Sequence, residues 1–213
     1  MNKKLQGMSL IELTIGLGIG CVLTTAFISF YANTSKSNNT MLKTIKLEHE
    51  LQSSINLMKS DIRRIGYNSK AIDLIGTNNI NKFMINNITD INIPKRNCIL
   101  FSYDFNKSGT VPSLNTQPMD NRFGFRLLNG IVQARAKYDK YFNCNKGTWY
   151  NLTDPMIIEV TLLSFTLTKK TLAKLSSREV TIKLSARLVS NKLINRTLTS
   201  RVKIRNDKYT PQT

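Results

Sequence analysis

MSLIELTIGLGIGCVLTTAFISFYA, running from Met8 to Ala32, is the stretch on which the reading of this chain turns. Its 25 residues hold one charged side chain, Glu12. As a helix at 1.5 Å per residue the run covers about 37 Å, enough to cross a hydrocarbon core of about 30 Å. MNKKLQG precedes it, and Lys3 and Lys4 have no acidic counterpart there. The positive-inside rule therefore holds the start in the cytoplasm and sends the remainder across, so the bulk of the chain is expected to be extracytoplasmic. A secretory signal ends in small residues at A-x-A positions. The end here, SFYANTSKSNN, is a weak version of that site, and retention of the apolar helix is expected instead. Glu12 lies five residues into the run, where a carboxylate costs about 2.5 to 3.5 kcal/mol on insertion scales. Either it stays hydrated near the interface or it has a partner.

The residues around Glu12 point to the partner. Gly7-Met8-Ser9-Leu10-Ile11-Glu12-Leu13 resembles the prepilin cleavage and methylation motif of type IV pilins and type II secretion pseudopilins. The resemblance implies that a prepilin peptidase cuts between Gly7 and Met8 on the cytoplasmic side and methylates the new amino group of Met8. Glu12 then becomes the fifth residue of the mature chain, and in such families the matching Glu pairs with the N-terminal amine of a neighbouring subunit. Met8 stands where Phe is commoner, while the Gly and Glu positions match. Gly16 and Gly20 form a G-x-x-x-G pair that suits close helix packing, although Gly is also common in membrane helices generally.

From Asn33 to Asn39 the composition turns to Asn, Ser and Thr, and an amphipathic pattern then runs to Gly66. At 100° per residue, Leu47, Leu51, Ile55, Met58, Ile62 and Ile65 fall within an arc of about 80°. Lys46, Ser53, Ser60 and Arg64 project to the opposite side. Gly66 is a natural stop, with Arg63 and Arg64 suited to the dipole of the last turn. The simplest reading is one long helix, first a membrane half and then a soluble half. His49-Glu50 invites comparison with the H-E-x-x-H zinc-protease motif, but Ser53 occupies the second His position, so the paired imidazoles of such a site are lacking. His49 is expected to be a solvated helix residue.

Beyond Gly66 no helical period persists, and short apolar runs alternate with Asn, Gly, Pro and Asp. Cys98 to Tyr103 reads as a strand. Phe123 to Leu128 and Ile131 to Ala136 flank Asn129-Gly130, the strongest hairpin signal in the chain, because Asn-Gly tolerates the positive φ angles of a type I′ turn. Met156 to Thr168, Arg178 to Ser190 and Arg196 to Arg205 read as longer strands. Val180, Ile182, Leu184, Ala186 and Leu188 share one face, as do Leu198, Val202 and Ile204, and these faces are expected to receive the helix stripe. Asn78 to Asn92 is Asn-rich and reads as a loose insertion. The organisation expected is a leader (1–7), a membrane and filament-core helix (8–32), an amphipathic continuation (33–66) and a β-rich head (67–213).

Cys98 and Cys144 fall in the exported part and Cys21 in the membrane segment. An oxidising compartment favours a Cys98–Cys144 disulfide, contributing about 3 to 4 kcal/mol by chain entropy, with two buried free thiols as the alternative. Asp104, Asn106 and Ser108, followed by Gly109, match the first six places of an EF-hand loop. The twelfth place is Asn115 instead of Glu, Lys107 adds a positive charge, and Asp120 substitutes only if the loop folds back. A hairpin turn using Asp and Gly for its backbone geometry is favoured over a metal site.

The chain of 213 residues has 31 Lys and Arg against 13 Asp and Glu, one His and a net charge of +18. That length excludes a large multidomain enzyme, and a lone His leaves few candidates for a general base near neutral pH. No catalytic triad, phosphate-cradling Gly loop or paired carboxylates emerge, and neither enzymatic activity nor a cofactor is expected. The charge is concentrated from Lys169 to Thr213, where twelve Lys or Arg face only Glu179 and Asp207. Strand alternation places Lys183 and Arg187, and likewise Arg201, Lys203 and Arg205, on outward faces. Double-stranded DNA is one conceivable partner for such a face through phosphate contacts, a solvated strand face meeting acidic neighbours is the other reading, and a single-strand platform lacks its aromatic residues.

LMKSDIRRIGY (Leu57 to Tyr67), CILFSYDFNKSG (from Cys98), DNRFGFRL (from Asp120) and SRVKIRN (from Ser200) resemble segments of PilW-like minor pilins, including the enteric prepilin-peptidase-dependent protein B. The stretch from Ile72 to Asn97 matches no such segment. The resemblance implies an α+β type IV pilin fold, in which a long N-terminal helix packs on an antiparallel sheet. It also implies an assembly role: a minor pilin that enters the inner membrane as a monomer with its head in the periplasm, then helps to initiate or cap a type IV pilus at the cell surface. Its partners would be the prepilin peptidase, other minor pilins, the major pilin and the inner-membrane assembly platform. A type II secretion pseudopilin and a tip module binding DNA or an anionic surface through the basic strands are the alternatives.

Overall fold

The computed structural model describes residues 9–70, 91–109, 121–137, 139, 141–172, 175–205 and 208–209. One helix, α1, spans Leu10–Ile62 over 53 residues. Ser9 opens it as an N-cap: its amide donates to Glu12 Oε2 at 3.1 Å, one half of a capping box. The Asn, Ser and Thr of the middle section do not break the helix. Hydroxyls along α1 instead donate back to carbonyls one turn earlier, as Thr24 does to Gly20, Ser29 to Thr25 and Thr44 to Thr40, which satisfies them without water. The last helical bond runs from Arg63 N to Lys59 O, and a tighter turn follows in which Arg64 N donates to Asp61 O and Ile65 N to Ile62 O. Gly66 then turns the chain out with φ +72°, and its amide donates to Ser102 O at 3.0 Å.

Two compact units divide the chain, Met1–Ile45 and Lys46–Thr213. Within the first, every described residue except Thr44 is exposed, including Ile11, Leu17, Phe27 and Phe30. The second unit holds the core.

Five antiparallel strands in chain order form the first sheet: β1 Ile91–Lys95, β2 Cys98–Ser102, β3 Arg122–Leu128, β4 Ile131–Arg135 and β5 Trp149–Asn151. The turn between β3 and β4 has the positive φ angles foreseen for it, +50° at Asn129 and +75° at Gly130. β2 is buried along its whole length because both faces are covered. Ile99 and Phe101 enter the main core, while Cys98 and Leu100 pack with Cys144, Phe142 and Trp149. Gly124 lies opposite Leu100, and a Cβ there would come 2.8 Å from Leu100 Cδ2 and 2.9 Å from Ile99 O.

The second sheet contains β6 Ile158–Leu172, β7 Leu175–Leu188 and β8 Asn195–Lys203, with the short β9 Lys208–Tyr209 paired to the start of β7. The strand-rich part is thus shared between two sheets, joined where Val160 N donates to Gly130 O and Phe165 N to Arg96 O, both at 2.8 Å. Leu47, Leu51, Ile55, Met58, Ile62 and Ile65 are all buried, in one cluster with Phe101, Phe125, Ile182, Leu184 and Val202 among others. β8 runs beside α1 in the same direction, since Arg196 faces Glu48 at 3.7 Å and Arg205 N donates to Arg63 O at 3.2 Å. The fold is α+β, a long helix packed on antiparallel sheets.

Candidate functional site

Gly7 and Met8 lie outside the described residues. Glu12 occupies the first turn of α1, its carboxylate accepting the Ser9 amide. Together with Leu13, Gly16, Leu17, Gly20 and Cys21 it lines a shallow groove along one face of the helix. The glycines keep that face low: a Cβ at Gly16 or Gly20 would meet nothing within 4 Å. The groove is mostly apolar, with one carboxylate at its end.

Cys98 and Cys144 are joined by a disulfide with Cα atoms 6.2 Å apart and a sequence separation of 46. The bridge ties the loop after β4 to the first sheet. Arg126 reinforces it, donating to Cys144 O at 2.7 Å while its guanidinium lies 4.3 Å from the Trp149 ring centre. On the other side of the loop Arg135 is buried and donates to the carbonyls of Arg122, Asp139 and Tyr141. Burial pushes its guanidinium down to about 10, against the opposing effect of Asp139. Nothing in the sequence marks Arg135 as a loop organiser, because its partners are backbone carbonyls.

Asp104 is buried, and its carboxylate is fully engaged by the protein. Oδ1 accepts the Ser108 amide at 3.0 Å, and Oδ2 accepts the Ser69 amide and hydroxyl and the Gly109 amide at 3.0, 2.6 and 3.0 Å. Burial works to raise its pKa, but the bonds from Ser69, Gly109 and Ser108 outweigh it and hold the carboxyl below its usual value. Asn106 Oδ1 accepts the Ser108 amide as well. The segment is a turn organised around a carboxylate, with Lys107 and Gly109 at φ +56° and +69°. Among the described residues no cluster of His, Cys, Asp and Glu is arranged to hold a metal, and His49 is an exposed helix residue.

Lys183, Arg187, Arg201, Lys203 and Arg205 point outward, alternating with buried Ile182, Leu184, Ala186, Val202 and Ile204. Arg187 is committed to Glu159 through two bonds of 2.9 Å, and the Arg187 bond is the main reason the Glu159 carboxyl sits below its usual range. Lys203 stands opposite Glu179, Arg201 opposite Thr181 and Lys183 opposite Thr199. Acids and hydroxyls therefore divide the basic face into separate charges.

Residues 40–204 match the family described as prepilin peptidase-dependent protein B. A protein of Haemophilus influenzae described as uncharacterized is 24% identical over 201 residues, an overlap covering 78% of this chain and 84% of the relative. No solved structure matches the chain. The family match begins at Thr40, past the Gly7–Leu13 motif, so it rests on a different part of the sequence. It takes in the buried stripe of α1, both sheets as far as Ile204 and both bridged cysteines. On that extent, the chain belongs to the prepilin peptidase-dependent protein B family.

Proposed function

We propose that the protein is a minor pilin, an assembly subunit that helps to initiate or cap a type IV pilus. The observation that carries this reading is the first part of α1, residues 10–45, whose apolar side chains are exposed and which presents one carboxylate, Glu12, beside Gly16 and Gly20. Such a helix needs lipid around it before assembly and neighbouring helices afterwards, and one carboxylate needs a cation in both settings.

Prepilin peptidase cleaves between Gly7 and Met8 and methylates Met8, and Glu12 then receives the N-terminal amine of a neighbouring pilin. The partners are the other minor pilins, the major pilin and the inner-membrane platform that extracts subunits from the bilayer. The β-rich head lies in the periplasm and then in the pilus. The test is the mass of the N-terminal peptide of membrane-purified protein from cells with and without active prepilin peptidase. A chain beginning at N-methylated Met8 only when the peptidase is active supports the reading. A chain that begins at Met1 in both removes it.

A further inference from the structure

Near the C-terminal end of α1, Asn56, Lys59, Ser60, Arg63 and Arg64 line an open groove together with Arg205, which arrives from just beyond β8. Asn56, Lys59, Ser60 and Arg63 follow one another at the spacing of a single helix stripe, about 10 Å long. Arg205 is held against that stripe by its own backbone, whose amide donates to Arg63 O at 3.2 Å. Arg63, Arg64 and Arg205 are exposed and Lys59 is half-buried. Among the described residues no carboxylate lines the groove. The nearest acid on the helix, Asp61, accepts the Tyr103 hydroxyl at 3.3 Å and attracts Arg64, so the cations without a described acid beside them are Lys59, Arg63 and Arg205. Tyr103 also fixes one wall, with the Arg64 guanidinium 5.9 Å from its ring centre.

Basic side chains in a last helical turn complement the helix dipole, and that accounts for Lys59, Arg63 and Arg64. It does not account for Arg205, which a different element brings to the same place and which adds repulsion there. A groove whose described side chains gather Lys59, Arg63 and Arg205 with no described acid beside them is relieved by an anion, and guanidinium forks suit carboxylate or phosphate. Two features favour carboxylates on a polypeptide. The stripe admits two of them at the spacing of one helical turn or of alternate strand residues. The broad continuous basic field that a duplex requires is lacking, because Glu159 and Glu179 interrupt the outward strands. A second copy is a poor occupant, since the chain carries +18 and like surfaces repel.

We infer that this groove docks an acidic segment of a different subunit. Calling the partner a subunit rests on the assembly reading; the preference for a carboxylate-bearing polypeptide rests on the groove alone.

The test measures binding of a labelled helical peptide with glutamates one turn apart to the full chain in detergent micelles. Wild type is compared with K59A/R63A/R205A and with K183A/R201A/K203A, which removes the same charge from the outward strands. The expected result is a rise in peptide Kd of about tenfold or more in the groove variant at low salt and of less than about twofold in the strand variant, both differences fading as salt shortens the screening length. Arg205→Ala alone serves if the triple variant unfolds, with a smaller rise expected. Equal weakening in both triple variants, or none in the groove variant, overturns the inference. So does a labelled DNA duplex, or inorganic phosphate as competitor, that loses its binding through the groove residues in place of the peptide. An unprocessed Met1 N-terminus in cells would remove the subunit identity and leave the peptide result standing, so the two failures are distinguishable.

Discussion

Asp104 shows how one side chain can be legible in part. The run from Asp104 to Gly109 announces a turn, and the turn is there, but Ser69, which supplies two of the carboxylate's four bonds, lies 35 residues away in sequence. Contacts of that kind depend on the whole fold. The folded carboxyl titrates below its ordinary 3.8, so the stability it contributes is present at neutral pH and is lost as pH falls through the folded value. Asp104→Asn is therefore expected to cost about 1 to 3 kcal/mol at pH 7, through donors left poorly matched in a buried site. In denaturant unfolding of the detergent-solubilised chain the gap to wild type should narrow below about pH 4, as the wild-type carboxyl also protonates. A gap independent of pH would contradict this account.

At the scale of elements, the soluble half of α1 was the most readable part, because burial on one side imposes a 3.6-residue period on the sequence. All six stripe residues are in the core. Leu51 is fully buried while Leu57, on the same helix, is 44% exposed. Leu51→Ala should cost about 2 to 5 kcal/mol and Leu57→Ala well under 1, measured as unfolding midpoints. Similar losses at both positions would mean that the helix does not pack on the sheets as described. The Asn129-Gly130 hairpin was equally clear, since its turn chemistry is local. β2 was identified as a strand, yet its burial on two faces could not be foreseen: the cover over Leu100 comes from Phe142, Cys144 and Trp149, in a loop tied down by the disulfide. Reduction should release that cover. Cys98→Ser/Cys144→Ser is expected to lower stability by about 3 to 4 kcal/mol and to raise the exposure of Trp149 in fluorescence quenching.

For the whole molecule, the division at Ile45 separates an exposed apolar helix from a buried core. Every buried hydrophobic side chain described belongs to Leu47 or a later residue, whereas the helix before it exposes Leu10, Ile15, Leu23 and Phe30 with no internal cover. Hydrophobic burial is the main favourable contribution to folding, so the head should fold without the segment that the bilayer or a neighbouring helix would enclose. A fragment comprising residues 46–213 is expected to remain in the soluble fraction, unfold in one cooperative transition monitored by Trp149 fluorescence, and keep the unfolding free energy of the full chain in detergent to within about 1 kcal/mol. The full chain should sediment with membranes. A fragment that aggregates or melts without cooperativity would show that residues before Lys46 contribute to the core. A soluble, cooperative fragment would assign them to anchoring and assembly, and the head could then be tested for peptide binding at the Lys59, Arg63 and Arg205 groove without detergent.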